Sequence, residues 1–223
     1  MKEEHELTSD VCGGMGYRMM PDSDTWFGRG NARAVASTQV FRWFEEAMRL
    51  FKRAPVIWCA LGLITLASDF VLSALPGVGV AAAKVISPVV ECGLLIGAAA
   101  MDRNQPLRVR HAFAAFGAPP GALAAIVVSS LLVLAAESAT AYALADVNLL
   151  SSTADAESLS SSVQLALLTV GTATTLPVAF VPFAALFEGG GFLRAFSRSV
   201  EGFLLNIGPL LLFGTCALVL VLL

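Results

Sequence analysis

Five apolar runs dominate this chain, at 55–75, 78–101, 122–145, 163–187 and 204–223. A hydrocarbon core of roughly 30 Å takes about 20 helical residues to cross, and each run is that long. Lipid offers no partner to a free backbone N–H or C=O, so an apolar run at that depth must satisfy its own groups as a helix. The short alternating strands of a transmembrane barrel are absent. Hydrophobic residues make up 57% of the chain and charged residues 14%, against about half and a quarter in soluble domains. A soluble fold of 223 residues could not hide that much apolar surface. The expected fold is an all-α polytopic transmembrane bundle of about five spans, with lipid as its solvent.

The segments between the runs carry the second layer of information. Residues 1–37 are rich in Gly, Ser, Asp and Met without periodicity, which reads as a disordered cytoplasmic tail. The tail contains acids and no apolar stretch of signal-peptide type, so the first run is expected to act as an uncleaved membrane signal. Met15, Met19 and Met20 are alternative starts. Residues 38–53 place Val40, Phe44, Ala47, Met48 and Phe51 on one stripe, with charges filling most of the rest. That pattern reads as an interfacial amphipathic helix, with Trp43 at headgroup level. The transmembrane domain is thus taken as 38–223.

Basic residues then orient the chain. Arg42, Arg49, Lys52 and Arg53 precede the first run; Arg103, Arg108 and Arg110 follow the second; Arg194 and Arg198 follow the fourth. The Pro76-Gly77 turn and the 146–162 loop hold no Lys or Arg, and of the 14 Lys and Arg residues only Lys84 breaks the pattern. The positive-inside rule gives a cytoplasmic N terminus and an external C terminus.

Three segments before runs one, three and five share a mixture of aromatic and basic residues: VFRWFEEAMRLF, VRHAFAAF and LRAFSRSVEGF. They suggest a repeat of interfacial helix, outward helix, turn and inward helix. A third complete unit would need a sixth helix. With WFEEAMRLFKRAPVIW, the stretch from Leu75 to Phe116, and RAFSRSVEGFLLNIGPLL, the chain resembles a family of uncharacterised multi-pass inner-membrane proteins of proteobacteria. The matching stretches cover about 40–116 and 180–215. The resemblance implies a multi-pass protein of a bacterial inner membrane and no catalytic role; the family usually has six helices and continues past Leu223, and this chain's polar N-terminal tail is longer.

Charges inside lipid are costly and are the first place to look for function. Four fall inside the runs: Asp69, Lys84, Glu91 and Glu137. A tight hairpin places Asp69 and Lys84 at similar depth, where they are expected to form an ion pair. Glu91 follows Lys84 by two helical turns on the same face. One reading is a proton or ion path with Glu91 as a buried carboxylate; the simpler one is structural pairing. Gly93 and Gly97 form a GxxxG, read as an internal packing groove in preference to a dimer seam. Pro88, Pro177 and Pro182 read as kinks, with Thr172, Thr174 and Thr175 expected to satisfy the carbonyls freed in the fourth run. Asn206 is placed to cap the fifth helix.

Little else carries chemistry. GVGVAA at 77–82 lacks the preceding strand and the later acid of a dinucleotide fingerprint. Gly189–Gly191 is not followed by the Lys-Ser/Thr of a phosphate loop. His111, beside Arg108 and Arg110, is expected to contact lipid phosphates. The four cysteines form no CxxC and read as small packing residues. No catalytic, cofactor-binding or metal-binding set emerges, so cofactors are expected to be none. The expected partners are the lipid bilayer and a membrane protein, not nucleic acid, with oligomeric state left open. The leading reading is a non-catalytic protein for membrane organisation or an accessory subunit. A transporter using Glu91 and Lys84 comes second and a lipid-acting enzyme last.

Overall fold

The computed structural model describes residues 33–75, 78–149, 160–189 and 191–222. The Pro76-Gly77 turn and most of the expected tail lie outside them. Among the described residues every regular element is helical. They are α1 (Gln39–Arg53), α2 (Pro55–Ser73), α3 (Gly79–Asp102), a 3-10 segment (Val109–Gly117), α4 (Pro120–Ala145), α5 (Ser161–Val178), the single turn α6 (Val181–Phe183), a π turn (Ala184–Glu188), α7 (Phe192–Leu205) and α8 (Ile207–Leu222). Four helices are long and apolar enough to span a membrane: α2, α3, α4, and the bent rod running Ser161–Glu188. The all-α polytopic bundle is therefore what these residues form.

The fifth span differs from expectation. Leu204 and Leu205 end α7, and the chain turns by 83° before continuing into α8. α8 alone has 16 residues, about 24 Å of helix at 1.5 Å per residue, shorter than the hydrocarbon core. α7 and α8 count as one span only when taken together as a broken one. The joint is Asn206, which stands at the N-cap position of α8 with its carbonyl accepting the Leu210 N–H at 3.0 Å, while its side chain is engaged elsewhere. Its side-chain N–H donates to the Gly202 carbonyl (2.9 Å) and to the Arg33 carbonyl (3.1 Å), and its Oδ1 accepts from the Val35 N–H at 2.7 Å. Residues 33–35, expected in the disordered tail, are thereby tied to the far end of the chain.

Proline and glycine shape the fourth rod. Pro177 sits inside α5 and Pro182 opens α6, so the helical ladder is interrupted between them. The expected threonines do not repair it. Ser199 of α7, fully buried, donates to the Pro177 carbonyl at 2.7 Å and accepts the Phe180 N–H at 3.0 Å. One hydroxyl from a neighbouring helix closes both orphaned groups, which no local pattern could show. Gly189 and Gly191, at φ +66° and +83°, then turn the chain into α7 through backbone angles that residues with a Cβ avoid.

The core mixes small residues with larger ones such as Val90, Ile96, Met101, Ile126 and Phe187. α3 buries Ala83, Ser87, Gly93, Gly97 and Ala100 among others, and the 3-10 segment lies against it. Gly93 makes that approach feasible: a Cβ there would fall 2.6 Å from Ala112 Cα, and one at Gly97 2.7 Å from a Leu107 methyl. The glycine pair is an inward groove filled by the backbone of the 3-10 segment at Gly93 and by the Leu107 side chain at Gly97. His111 is drawn inside with it, 3% exposed, where its Nδ1 accepts the Arg108 N–H at 3.1 Å. It is a buried turn-forming residue, not a contact for lipid phosphates. Burial, followed by the charges of Arg110 and Arg108, holds its imidazolium pKa below the usual value.

α1 packs by its expected stripe only in part. Val40 is fully buried, and Phe44 stacks on Phe213 of α8 at 4.9 Å between centroids, while Met48 and Phe51 remain exposed. Trp43 also turns onto Phe213, edge-on at 6.0 Å, and so faces α8. Arg53 donates to the Met101 carbonyl at 3.1 Å and to Asn104 Oδ1 at 3.2 Å. These bonds lock the start of α2 beside the end of α3, so the basic segments gather at one end of the bundle.

Candidate functional site

The intramembrane charges divide between two places. Asp69, Lys84 and Glu91 belong to the α2–α3 hairpin. Glu137 belongs to the α4–α5 contact, where its carboxylate lies against the bare Cα of Gly171; a Cβ there would come 2.5 Å from Oε1. Gly171 is a notch for an acid, a role a single sequence does not reveal.

On the hairpin, Asp69 Oδ1 accepts a hydrogen bond from Ser87 Oγ at 3.1 Å. The expected Asp69–Lys84 ion pair is absent among the described residues, whose ion pairs include Arg42 with Glu46 and Arg198 with Glu188 and Glu201. Ser87, one turn further along α3, takes the carboxylate that Lys84 was expected to hold. Lys84, Ser87 and Glu91 follow one another at three- and four-residue spacing along one stripe of α3, so the Ser87 bond brings Asp69 to the stripe that carries Lys84 and Glu91. The three groups share one side of the hairpin.

Its orientation decides what it can do. Asp69 and Glu91 are exposed and Lys84 is half-buried. Positions 84, 88, 91 and 95 recur at helical spacing, and Glu91 and Leu95 open this stripe to the outside while Val89, Val90, Cys92, Gly93 and Ile96 turn into the core. Glu91 is therefore not the buried carboxylate of an interior path; it sits on the outer surface of the bundle. It lies near the middle of α3, which has 24 residues, so either end of the helix is about 18 Å away. A glutamate side chain cannot snorkel that far. Among the described residues Glu91 makes no hydrogen bond or ion pair. Asp69, four residues from the end of α2, is near enough to the boundary to reach polar surroundings.

The neighbouring surface is equally open. α2 buries only Leu61, while Val56, Leu63, Leu66, Phe70 and Val71 are exposed. The site is thus a broad apolar face with a mid-depth carboxyl, an ammonium two turns away, and a hydrogen-bonded aspartate. Such a face can bind a helix that brings a donor or a cation to the depth of Glu91. No family model, curated protein or solved structure matches this chain.

Proposed function

We propose that this chain is a non-catalytic accessory subunit of a bacterial inner membrane, which binds a partner membrane protein through the outer face of its α2–α3 hairpin. One observation carries the reading. Glu91 sits at mid-span on the outside of the bundle, where an acid facing lipid costs about 2.5 kcal/mol or more. A partner helix supplying a hydrogen-bond donor or a cation at that depth removes the cost, and the exposed apolar surface of α2 supplies the packing area. The distribution of basic residues supports a cytoplasmic N terminus and an external C terminus. The bacterial setting rests on the resemblance of residues 40–116 and 180–215 to the uncharacterised proteobacterial membrane family.

The test is purification of the tagged chain from its native membrane in mild detergent, beside the Glu91→Leu variant. A stoichiometric membrane protein that accompanies the wild type and is lost from the variant is the expected result. A chain that purifies alone in both forms, with Glu91→Gln abolishing solute or proton flux in vesicles, would replace the accessory reading with transport.

A further inference from the structure

A second feature lies at the basic end of the bundle, away from Glu91. A cavity of about 580 Å³ opens between α1, the bend of the fourth rod, and the α7–α8 joint. That volume is in the range of small-molecule sites. Its walls are the rings of Trp43, Phe180, Phe183 and Phe213, and Gly202 leaves space where a side chain would otherwise project. Water is a poor filling for such walls, because it finds few partners there.

The polar lining is confined to Arg33, Arg198, Glu188 and Asn206. Asn206 is occupied by its bonds to residues 33, 35 and 202. Arg198 is compensated by Glu188 at 3.9 Å and Glu201 at 3.3 Å. Arg33 has no carboxylate partner among the described residues, and Asn206 holds its backbone at the edge of the cavity. The site therefore combines an aromatic slot with one guanidinium that has no carboxylate partner among the described residues, at the end of the bundle where the basic segments gather.

We propose that this cavity is a specific binding site for an anionic amphiphile, an acyl chain held between the aromatic walls with its phosphate or carboxylate head on Arg33. The apolar slot matches the tail, and the planar guanidinium matches a phosphate or carboxylate. Bound there, the amphiphile would touch α1, α7 and α8 together and so clamp the N-terminal segment to the broken fifth span. The site is independent of the partner face on α2–α3.

Native mass spectrometry of the delipidated full chain tests the proposal, with dioleoyl phosphatidylglycerol, dioleoyl phosphatidylcholine and oleate titrated separately. The expected result is an adduct saturating at one per chain, with phosphatidylglycerol or oleate bound at least ten-fold more tightly than phosphatidylcholine. Which of the two binds distinguishes a phospholipid from a free fatty acid. Gly202→Phe and Ala47→Phe fill the cavity from opposite walls, and each should weaken the adduct at least ten-fold. Ala47 is exposed on α1, so its variant keeps the fold if the glycine variant does not. Arg33→Gln should abolish the preference over phosphatidylcholine while leaving an adduct. Adducts that accumulate without saturation, survive Ala47→Phe, or keep their headgroup preference in Arg33→Gln would overturn the proposal.

Discussion

α2 and α3 are two arms of one hairpin with nearly equal mean hydropathy, 1.9 and 1.7 over their most apolar windows. Yet α2 buries one residue and α3 buries eleven. In water, apolar content would predict burial. In lipid it does not, because the medium is as apolar as the side chains and gives no drive to hide them. What separates the helices is how closely a neighbour can come: Gly93 and Gly97 admit the segment that follows α3, and Val89, Val90, Ile96 and Met101 are buried with them, whereas α2 turns leucine, phenylalanine and valine outward. Burial here follows the closeness of backbone approach.

The sharpest way to break this comparison is a pair of glycine substitutions. Gly93→Leu drives a side chain into the backbone of the 3-10 segment and should cost about 3 kcal/mol or prevent folding. A Cβ at Gly62 on α2 would meet nothing within 4 Å, so Gly62→Leu should change stability by less than about 0.5 kcal/mol. Thermal unfolding in detergent reads both. If the two variants melt alike, backbone approach is not what distinguishes the helices.

A similar contrast separates hydroxyls. Ser199→Ala leaves the Pro177 carbonyl and the Phe180 N–H without their partner and should cost about 2 kcal/mol. Thr65→Ala on α2 removes only a bond to its own helix, at the Leu61 carbonyl, and should be close to neutral in the same assay. Smaller still is the contrast within α2. Leu61→Ala, at the helix's one buried position, should cost about 1.5 kcal/mol through lost packing, while Leu63→Ala, 65% exposed, should cost almost nothing.

The smallest effect is one of pH. His111 has a folded-state pKa below its ordinary 6.5, so the unfolded chain takes up the proton more readily than the folded one. Its contribution is fully present above about pH 6.5 and declines as pH falls toward the folded value. His111→Asn keeps an acceptor for the Arg108 N–H and does not titrate. Between pH 7.5 and 5.5 the wild type should lose more melting temperature than this variant; equal losses would remove His111 from the balance.

The sequence showed the medium, the four complete spans and the GxxxG groove, because length, hydropathy and small-residue spacing are local properties. It did not show which way Glu91 faces. Two-turn spacing puts Lys84 and Glu91 on one face but leaves open whether that face meets the core or the lipid. It missed Ser199, whose role exists only because α7 lies beside the Pro177 bend, and Gly171, whose notch depends on Glu137 from another helix. It placed Asn206 at the start of the fifth helix but could not show what its side-chain oxygen holds, because Val35 is 171 positions away. The boundary of the fifth run failed for a related reason: Leu204 and Leu205 continue the apolar run in composition, while the backbone turns after them.

The most direct test of the partner-binding face is site-specific photocrosslinking in the native membrane. A benzophenone amino acid would replace Leu95 beside Glu91 on α3, with a control at Leu168 on the exposed side of α5. A discrete protein adduct from position 95, lost when Glu91→Leu is added, with lipid adducts alone from position 168, is the expected result. Lipid adducts alone from both positions would mean that Glu91 faces the bilayer unpartnered, and would contradict the proposed function.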